Sequence, residues 1–190
     1  MLARELKAGN EAALGALVER HWKPLLQYAL EFLTHEDQAQ DIVQEAFVQL
    51  WSARETWRQN RTLRPVLYQI TRNLALNEKR RRVHFKRWVR RLHQSERDPR
   101  PSPYRAMRQA ELHAIVQQAK EALPERRREI FTLVRTHQMS YREVGQVLGI
   151  SPQTVANQMT KAVHDMRTAL VPYLEEYAPE EIPFPRRGTG

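Results

Sequence analysis

Apolar residues recur at intervals of three and four in several stretches of the chain, which is the pattern of helices with one buried face. The most regular stretch is Ala39–Trp51, in which every position of the i, i+3, i+4, i+7 series is apolar. A stripe over Leu14–Leu33 follows Asn10, a favourable N-cap, a third helix is predicted to open at Leu63, and another spans Met107–Leu123. With only 6 Gly and no long period-two alternation, a sheet protein is disfavoured.

The second half of the chain contains a pair of capped helices separated by a glycine. Ser140 and Glu143 have the spacing of a capping box, and the short helix that they open should end at Gly149. Ser151 is a suitable N-cap for the next helix, with Pro152 at its first position. A short capped helix, a glycine turn and a longer capped helix are typical of a helix-turn-helix.

Three prolines within the segment 95–103 cannot continue a helix and therefore indicate a linker. The predicted fold class is all-α, with two small helical domains joined by this Pro-rich linker and a helix-turn-helix in the second. The predicted boundaries are a first domain at 1–92, the linker at 93–105, a helix-turn-helix domain at 106–171 and a flexible tail at 172–190.

The chain is basic, with a formal net charge of +9 and a pI of about 10.2. Residues 1–92 carry 17 Lys and Arg against 10 Asp and Glu, whereas residues 93–190 carry 14 against 12. A concentrated positive charge favours nucleic acid as the partner, although a solvated basic surface would give the same composition.

Several protein classes are disfavoured by what the sequence lacks. Cysteine is absent, which removes disulfide frameworks and thiolate-ligated zinc and fits a reducing cytosol. No signal peptide is recognisable and no apolar run approaches the roughly 18 residues of a membrane span, so a soluble, cytoplasmic protein is expected. Without a His pair at metal-binding spacing, a Gly-rich phosphate loop or a nucleophile elbow, we expect no enzyme, no cofactor and no metal site.

The second helix of the predicted helix-turn-helix has a polar outward face. Amides can bond base edges bidentately, Thr can contact a thymine methyl group, and Lys can reach guanine or phosphate. An ordinary helical hairpin with a polar outer face is the alternative. The DNA-binding candidates are Gln153, Ala156, Asn157, Thr160, Lys161 and His164.

A second candidate surface lies on the helix that opens at Leu63, where Gln69, Asn73, Asn77 and Arg80 share one stripe. Amides suit the exposed edges of splayed single-stranded bases. The segment 79–91 follows with eight Lys and Arg, no acid and two aromatic residues, a mixture that suits phosphates and base stacking. A solvated basic helix end is the alternative.

The third candidate surface is acidic. Asp37, Asp41 and Glu45 are spaced four residues apart along the polar face of the Ala39–Trp51 helix, with Gln44 beside them. This spacing strings the carboxylates along an exposed face and forms no pocket for acid–base chemistry. A protein partner with a basic helix, or a plain solvated face, explains them better.

Three motifs, in this order around the linker, resemble the extracytoplasmic-function (ECF) sigma factors of bacterial RNA polymerase. Residues 41–47, followed by Leu50-Trp51, resemble that family's polymerase-binding helix, and residues 67–77, followed by three arginines, resemble its −10 promoter helix. Residues 123–131, 140–144 and 151–167 resemble its −35 domain, and the whole resemblance covers roughly residues 8–171.

The sequence departs from the family pattern at two places. Val66, preceded by Pro65, stands where the family often has Trp. Ala156-Asn157-Gln158 follows Thr154-Val155, where the family usually carries more Arg or Lys.

The resemblance implies a factor that directs core polymerase to specific promoters and initiates transcription. Its implied partners are the β′ clamp helices and β flap of core RNA polymerase, promoter DNA and an anti-sigma factor. The alternatives are a helix-turn-helix regulator that does not replace a sigma factor, and a DNA-processing enzyme.

The resemblance also assigns residues to each task. It implies polymerase binding by Asp37, Asp41, Gln44 and Glu45. It implies −10 recognition by Gln69, Asn73, Asn77, Arg80, Arg81 and Arg82, with the loop near Asn60 to Thr62 completing a base pocket. It implies −35 recognition by Ser151, Gln153, Thr154, Ala156, Asn157, Thr160, Lys161 and His164.

Overall fold

The computed structural model of the chain describes residues 2–56, 62–90 and 107–177. The predicted linker at 93–105, the loop residues Asn60 and Arg61, and the tail from 178 onward lie outside these described residues, as do the side chains of Phe85 and Trp88. The chain divides into two compact units, one formed by residues 1–100 and 139–151, the other by residues 101–138 and 152–190.

Every element in the described ranges is helical, as the sequence predicted. The first unit contains α1 (Leu2–Lys7), α2 (Glu11–Leu30), α3 (Glu36–Ser52), a 3₁₀ turn (Arg54–Thr56), α4 (Leu63–Arg90) and α7 (Tyr141–Leu148). The second unit contains α5 (Met107–Ala122), α6 (Glu125–Arg135) and α8 (Pro152–Tyr177).

The first unit is built around α2, α3 and α4, which pack against one another. Asn10 caps α2 as predicted, because its side-chain oxygen accepts a hydrogen bond from the backbone N–H of Ala12 at 3.0 Å. The rings of Tyr28 and Tyr68 lie 5.1 Å apart and are both fully buried, which joins α2 to α4 at the centre of the core. The faces of α3 and α4 that this core does not bury point outward.

Helix α7 has the ends that the sequence predicted. Ser140 and Glu143 form the complete capping box, and Gly149 closes the helix in the left-handed conformation with φ 66°. The helix has only eight residues, and its buried Val144, Val147 and Leu148 must be covered by a neighbour. It belongs to the first unit, where it packs on α4. The single domain at 106–171 stays a prediction.

The second unit has its core between α5, α6 and α8. Ala119 of α5 and Leu123, which follows that helix directly, meet Ala162 and Met166 of α8, with Phe131 of α6 packed against them. Val155 and Met159 continue the buried face of α8 toward its N-terminus. The opposite face of α8 is thereby left to solvent.

Three details differ from the sequence predictions. Helix α1 was not predicted, although its Leu6 is fully buried. Val163 recurs at helical spacing with the buried Val155 and Met159 and would be expected on the same face, but it is 42 % exposed, because it lies about 80° around the helix from Val155. Helix α8 continues through Pro172 to Tyr177, beyond the predicted start of the flexible tail, although a proline inside a helix removes one backbone hydrogen bond and crowds the preceding turn.

Candidate DNA-binding and partner-binding surfaces

The acidic surface on α3 consists of exposed side chains. Asp37, Asp41, Gln44 and Glu45 all face solvent, while Val43 and four other residues of the helix are buried. Glu45 accepts a hydrogen bond from Gln49 Nε2 at 2.9 Å, which orients the carboxylate along the helix. The surface can therefore offer a row of acceptors to a basic partner.

An apolar groove adjoins this acidic surface. Its volume is about 390 Å³, and Gln44 belongs to both surfaces. The groove is lined by Leu14, Val18 and Trp22 of α2 and by Gln44, Phe47, Val48 and Trp51 of α3. The groove was not predicted from the sequence, because most of these residues lie on apolar stripes that were assigned to the core.

Aromatic side chains and their contacts form much of the wall of this groove. The rings of Trp22 and Phe47 stack with centroids 6.4 Å apart, and the Arg54 guanidinium lies 4.6 Å from the ring centre of Trp51. Arg54 also donates to the carbonyl oxygen of Trp51 at 3.1 Å, which satisfies the C-terminal end of α3. Val48, at the edge of the groove, is 52 % exposed, so the groove can accept an apolar side chain.

The predicted −10 amides lie with Arg80 along one side of α4, whereas Arg82 lies on the opposite side of the helix. Asn73, Asn77, Arg80 and Arg81 are exposed, and Gln69 and Arg82 are half-buried. The other side of α4 buries residues of the core, which include Leu67, Thr71 and Ala75. The structure therefore brings the predicted amides onto one accessible stripe.

Glu78 forms ion pairs with two of the three arginines that follow this stripe. Its carboxylate lies 3.0 Å from Arg81 and 3.8 Å from Arg82, and Arg82 also donates to Thr34 Oγ1 at 3.5 Å. These contacts hold Arg81 and Arg82 partly along the protein surface. The three arginines were predicted as equivalent DNA contacts, although Arg81 and Arg82 lie at i+3 and i+4 from Glu78, the spacing of helical ion pairs.

Arg64 begins α4 among several polar partners. Its guanidinium lies 5.9 Å from the ring centre of Tyr68 and 4.0 Å from the Glu143 carboxylate. Burial lowers the pKa of His21 below its usual value, and the charges of Arg20 and Arg64 lower it further. Burial raises the pKa of the Tyr68 phenol, with Arg64 opposing the shift. His21 is therefore neutral at neutral pH, and it adds no positive charge near α4.

A pocket of about 190 Å³ lies beside Gln69. Thr62, Pro65, Val66 and Gln69 line it together with Gln146 of α7. Pro65 occupies the third position of α4, where a missing N–H breaks no helical hydrogen bond.

The predicted −35 residues occupy the N-terminal half of α8, except Ser151, which directly precedes the helix. All are exposed except Ala156, which is half-buried. Gln153 Nε2 donates to Asn157 Oδ1 at 3.2 Å, and Thr160 donates to the carbonyl oxygen of Ala156 at 3.1 Å. The first contact makes Gln153 and Asn157 a linked amide pair, one helical turn apart on the outward face.

In the part of the chain that the structure describes, no group of three or more His, Asp or Glu is arranged to hold a metal ion. No helix there is long and apolar enough to cross a membrane.

Each of the two units thus presents a helix, α4 or α8, with side-chain amides on an exposed face. The sigma-70 region 2 family matches residues 17–85, and the sigma-70 region 4 family matches residues 113–166. These matches contain the α3 and α4 surfaces and the α8 surface, respectively.

Whole-chain relatives agree with these matches. The RNA polymerase sigma factor NccH of Alcaligenes xylosoxydans xylosoxydans is 30% identical over 164 residues, covering 85% of this chain and 88% of that protein. The ECF RNA polymerase sigma factor SigE of Mycolicibacterium smegmatis is 28% identical and covers 90% of this chain and 67% of its own length. A solved structure of CnrH in complex with the cytosolic domain of CnrY superposes with a TM-score of 0.63 and 28% identity, covering 93% of this chain and 97% of CnrH. CnrH is an RNA polymerase sigma factor of Cupriavidus metallidurans.

The chain belongs to the ECF group of RNA polymerase sigma factors. It binds core RNA polymerase and promoter DNA and directs transcription initiation.

Proposed function

We propose that three surfaces divide the work of this sigma factor. The acidic face of α3 and the adjoining apolar groove bind the β′ clamp helices, the amide stripe of α4 captures the −10 element, and the outward face of α8 recognises the −35 duplex. The observation that carries the proposal is that none of the residues predicted for these tasks is buried, and that the amides of each DNA-contacting set fall on one face of one helix.

The polymerase assignment rests on both charge and shape. Asp41 and Glu45 supply acceptors for basic side chains, and Val48 and Trp51 supply apolar contact beside them. An interface with an apolar centre and a charged margin has the composition of a specific protein contact.

The −10 assignment rests on amides that are accessible and on a basic segment that follows them. Asn73 and Asn77 lie one turn apart, and each amide carries donors and an acceptor for the edge of an unstacked base. Gln69 lies one turn earlier on the same side, beside the pocket, and Arg80, Arg81 and Arg82 follow as phosphate contacts.

The −35 assignment rests on the position of the polar residues at the start of α8. The N-terminal residues of a recognition helix face the base edges in the major groove. Gln153, Asn157 and Thr160 occupy that position, and Lys161 and His164 lie farther along the helix. Ser151 and Thr154 belong to the margin proposed to face the DNA backbone.

The proposal includes the division of the chain into domains at 1–92 and 106–171 with a linker at 93–105. It also includes a cytoplasmic site of action without enzymatic activity of its own, and contact of the second domain with the β flap. The solved complex of CnrH with the cytosolic domain of CnrY supports the proposal that an anti-sigma factor also holds this protein.

In vitro transcription with purified core polymerase and genomic fragments tests the whole proposal. We expect promoter-specific starts that depend on this protein. A helix-turn-helix regulator would give no specific starts with core polymerase alone, and a DNA-processing enzyme would alter DNA without polymerase.

Charge reversal tests the α3 surface in the same assay. Asp41→Arg and Glu45→Arg should weaken core binding strongly, since like charges in an interface cost several kcal/mol. Glu19→Arg, an equal reversal at an exposed site on α2 outside the groove, is the matched control. Equal core affinity for all three variants would contradict the assignment.

A further inference from the structure

Two turns of α8 are held to α6 by one side chain, that of Arg127. Its Nη1 donates to the Asp165 carboxylate, and its Nε donates to Gln158 Oε1 at 3.5 Å. The Arg127 side chain is only 21% exposed. Gln158 and Asp165 are seven residues apart, which is about two helical turns. The planar guanidinium therefore binds α8 at two points along its axis.

The grip lies on the flank of α8, away from the residues proposed to meet DNA bases. Val155 and Met159 mark the buried side, and Asn157 marks the outward side. At about 100° per residue, Gln158 and Asp165 fall between these two sides. Arg127 can therefore set the position of the helix without occupying any base-contacting side chain.

The same contact also controls a negative charge. Asp165 is the first acidic residue of α8, and it lies one turn after Lys161, directly beyond the segment proposed to approach DNA. Without Arg127, its carboxylate would repel phosphate or pair with Lys161 at i,i+4 spacing. The ion pair with Arg127 prevents both.

We propose that Arg127 is a positioning residue for −35 recognition. It sets the angle and depth at which α8 enters the major groove, and it keeps Asp165 away from phosphate and from Lys161. This inference rests on the proposed role of α8 in −35 recognition. Arg127 itself contacts α8 and makes no base contact.

Two substitutions separate the two effects of Arg127. Arg127→Lys keeps the positive charge but cannot bond Gln158 and Asp165 with one planar group. Arg127→Met removes both the charge and the grip, with a similar apolar stem. Arg135→Met is the matched control, because it removes one exposed positive charge from the end of the same helix.

The experiment is transcription by full-length holoenzyme from a promoter library randomised at the −35 element. We expect Arg127→Met to lower −35-dependent transcription by about tenfold or more, the loss typical of a hydrogen bond to a charged group, and to broaden the −35 preference. We expect Arg127→Lys to broaden the preference with a smaller loss of output. Arg135→Met should preserve the preference.

A pre-melted template without a −35 element provides the second measurement. Both Arg127 variants should match the wild-type protein there, because the first unit and core binding are intact. If either variant loses activity on this template as well, Arg127 has a general structural role and the inference is wrong. It is also wrong if both variants keep the wild-type −35 preference.

Asn157→Ala separates this inference from the proposed function. If Asn157→Ala leaves the −35 preference unchanged, the assignment of α8 fails. If Asn157→Ala changes the preference and Arg127→Lys and Arg127→Met do not, only the positioning role fails.

Discussion

The two helices proposed to contact DNA, α4 and α8, both present side-chain amides one turn apart, but they prepare them differently. On α8, Gln153 donates to Asn157, and Arg127 fixes the flank of the helix from outside. Among the described residues of α4, no hydrogen bond joins Asn73 to Asn77. On α8, which is proposed to bind the rigid −35 duplex, the two amides are thus linked before DNA binds. On α4, which is proposed to bind an unstacked base, the amides are not linked to each other.

The basic residues show the opposite arrangement. On α8, Lys161 is exposed among the base-contacting candidates, while on α4 Glu78 holds Arg81 and Arg82 by ion pairs. Phosphate contact by those two arginines therefore competes with an internal carboxylate. This difference teaches that a run of arginines in a sequence does not measure the charge that is available to DNA.

Asn73→Ala should give the largest effect on the α4 side of the comparison. Loss of a base contact should reduce transcription by about tenfold to a hundredfold on duplex promoters and equally on templates with a pre-melted −10 region. Gln27→Ala, which removes an exposed amide from α2, is the matched control. Full rescue of Asn73→Ala by pre-melting would mean that this residue assists opening and does not recognise the base.

The linked amides of α8 predict a coupled effect of intermediate size. Gln153→Ala and Asn157→Ala should each relax the −35 preference by about 1–3 kcal/mol at adjacent base pairs. The double variant should differ from the sum by about 0.5 kcal/mol or more, because each substitution removes the partner of the other. The cycle over Asn73 and Asn77 at the −10 element should show a smaller coupling, and equal couplings would remove the distinction between the helices.

The arginines of α4 should differ in salt dependence. Each phosphate contact changes the slope of log affinity against log salt by about 1. Arg80→Ala should lower this slope more than Arg81→Ala, since Arg81 is engaged by Glu78 at 3.0 Å. Slopes measured on fork-junction promoter DNA at several salt concentrations provide the test, and a larger effect of Arg81→Ala would contradict the assigned competition.

Glu78→Gln should produce the smallest effect, and in the opposite direction. Removing the carboxylate charge makes Arg81 and Arg82 available to phosphate, so affinity for promoter DNA should rise by up to about fivefold at low salt, the range of an exposed ion pair. The −10 preference should stay unchanged, because phosphate contacts carry no base information. Weaker binding by this variant would show that the ion pairs position the arginines instead of withholding them.

Local features were predictable because their causes act over a few residues. Asn10, the Ser140–Glu143 capping box and Gly149 define helix ends through bonds within one turn, and all three are as predicted. The period of apolar residues likewise placed Val43 and Phe47 inward and Asp41 and Glu45 outward. The family resemblance then connected these faces to tasks that periodicity alone cannot assign.

The sequence by itself therefore determined most of the helices, most of their buried faces and the family to which the chain belongs. Only the tertiary structure decided that Leu14, Val18 and Trp22 form a groove with α3, since a stripe does not state how completely its neighbour covers it. It also decided that Arg127 grips Gln158 and Asp165, which lie 31 and 38 residues farther along the chain. Such contacts depend on how α6 and α8 pack around Ile130, Met159 and Met166, and no local pattern encodes that packing.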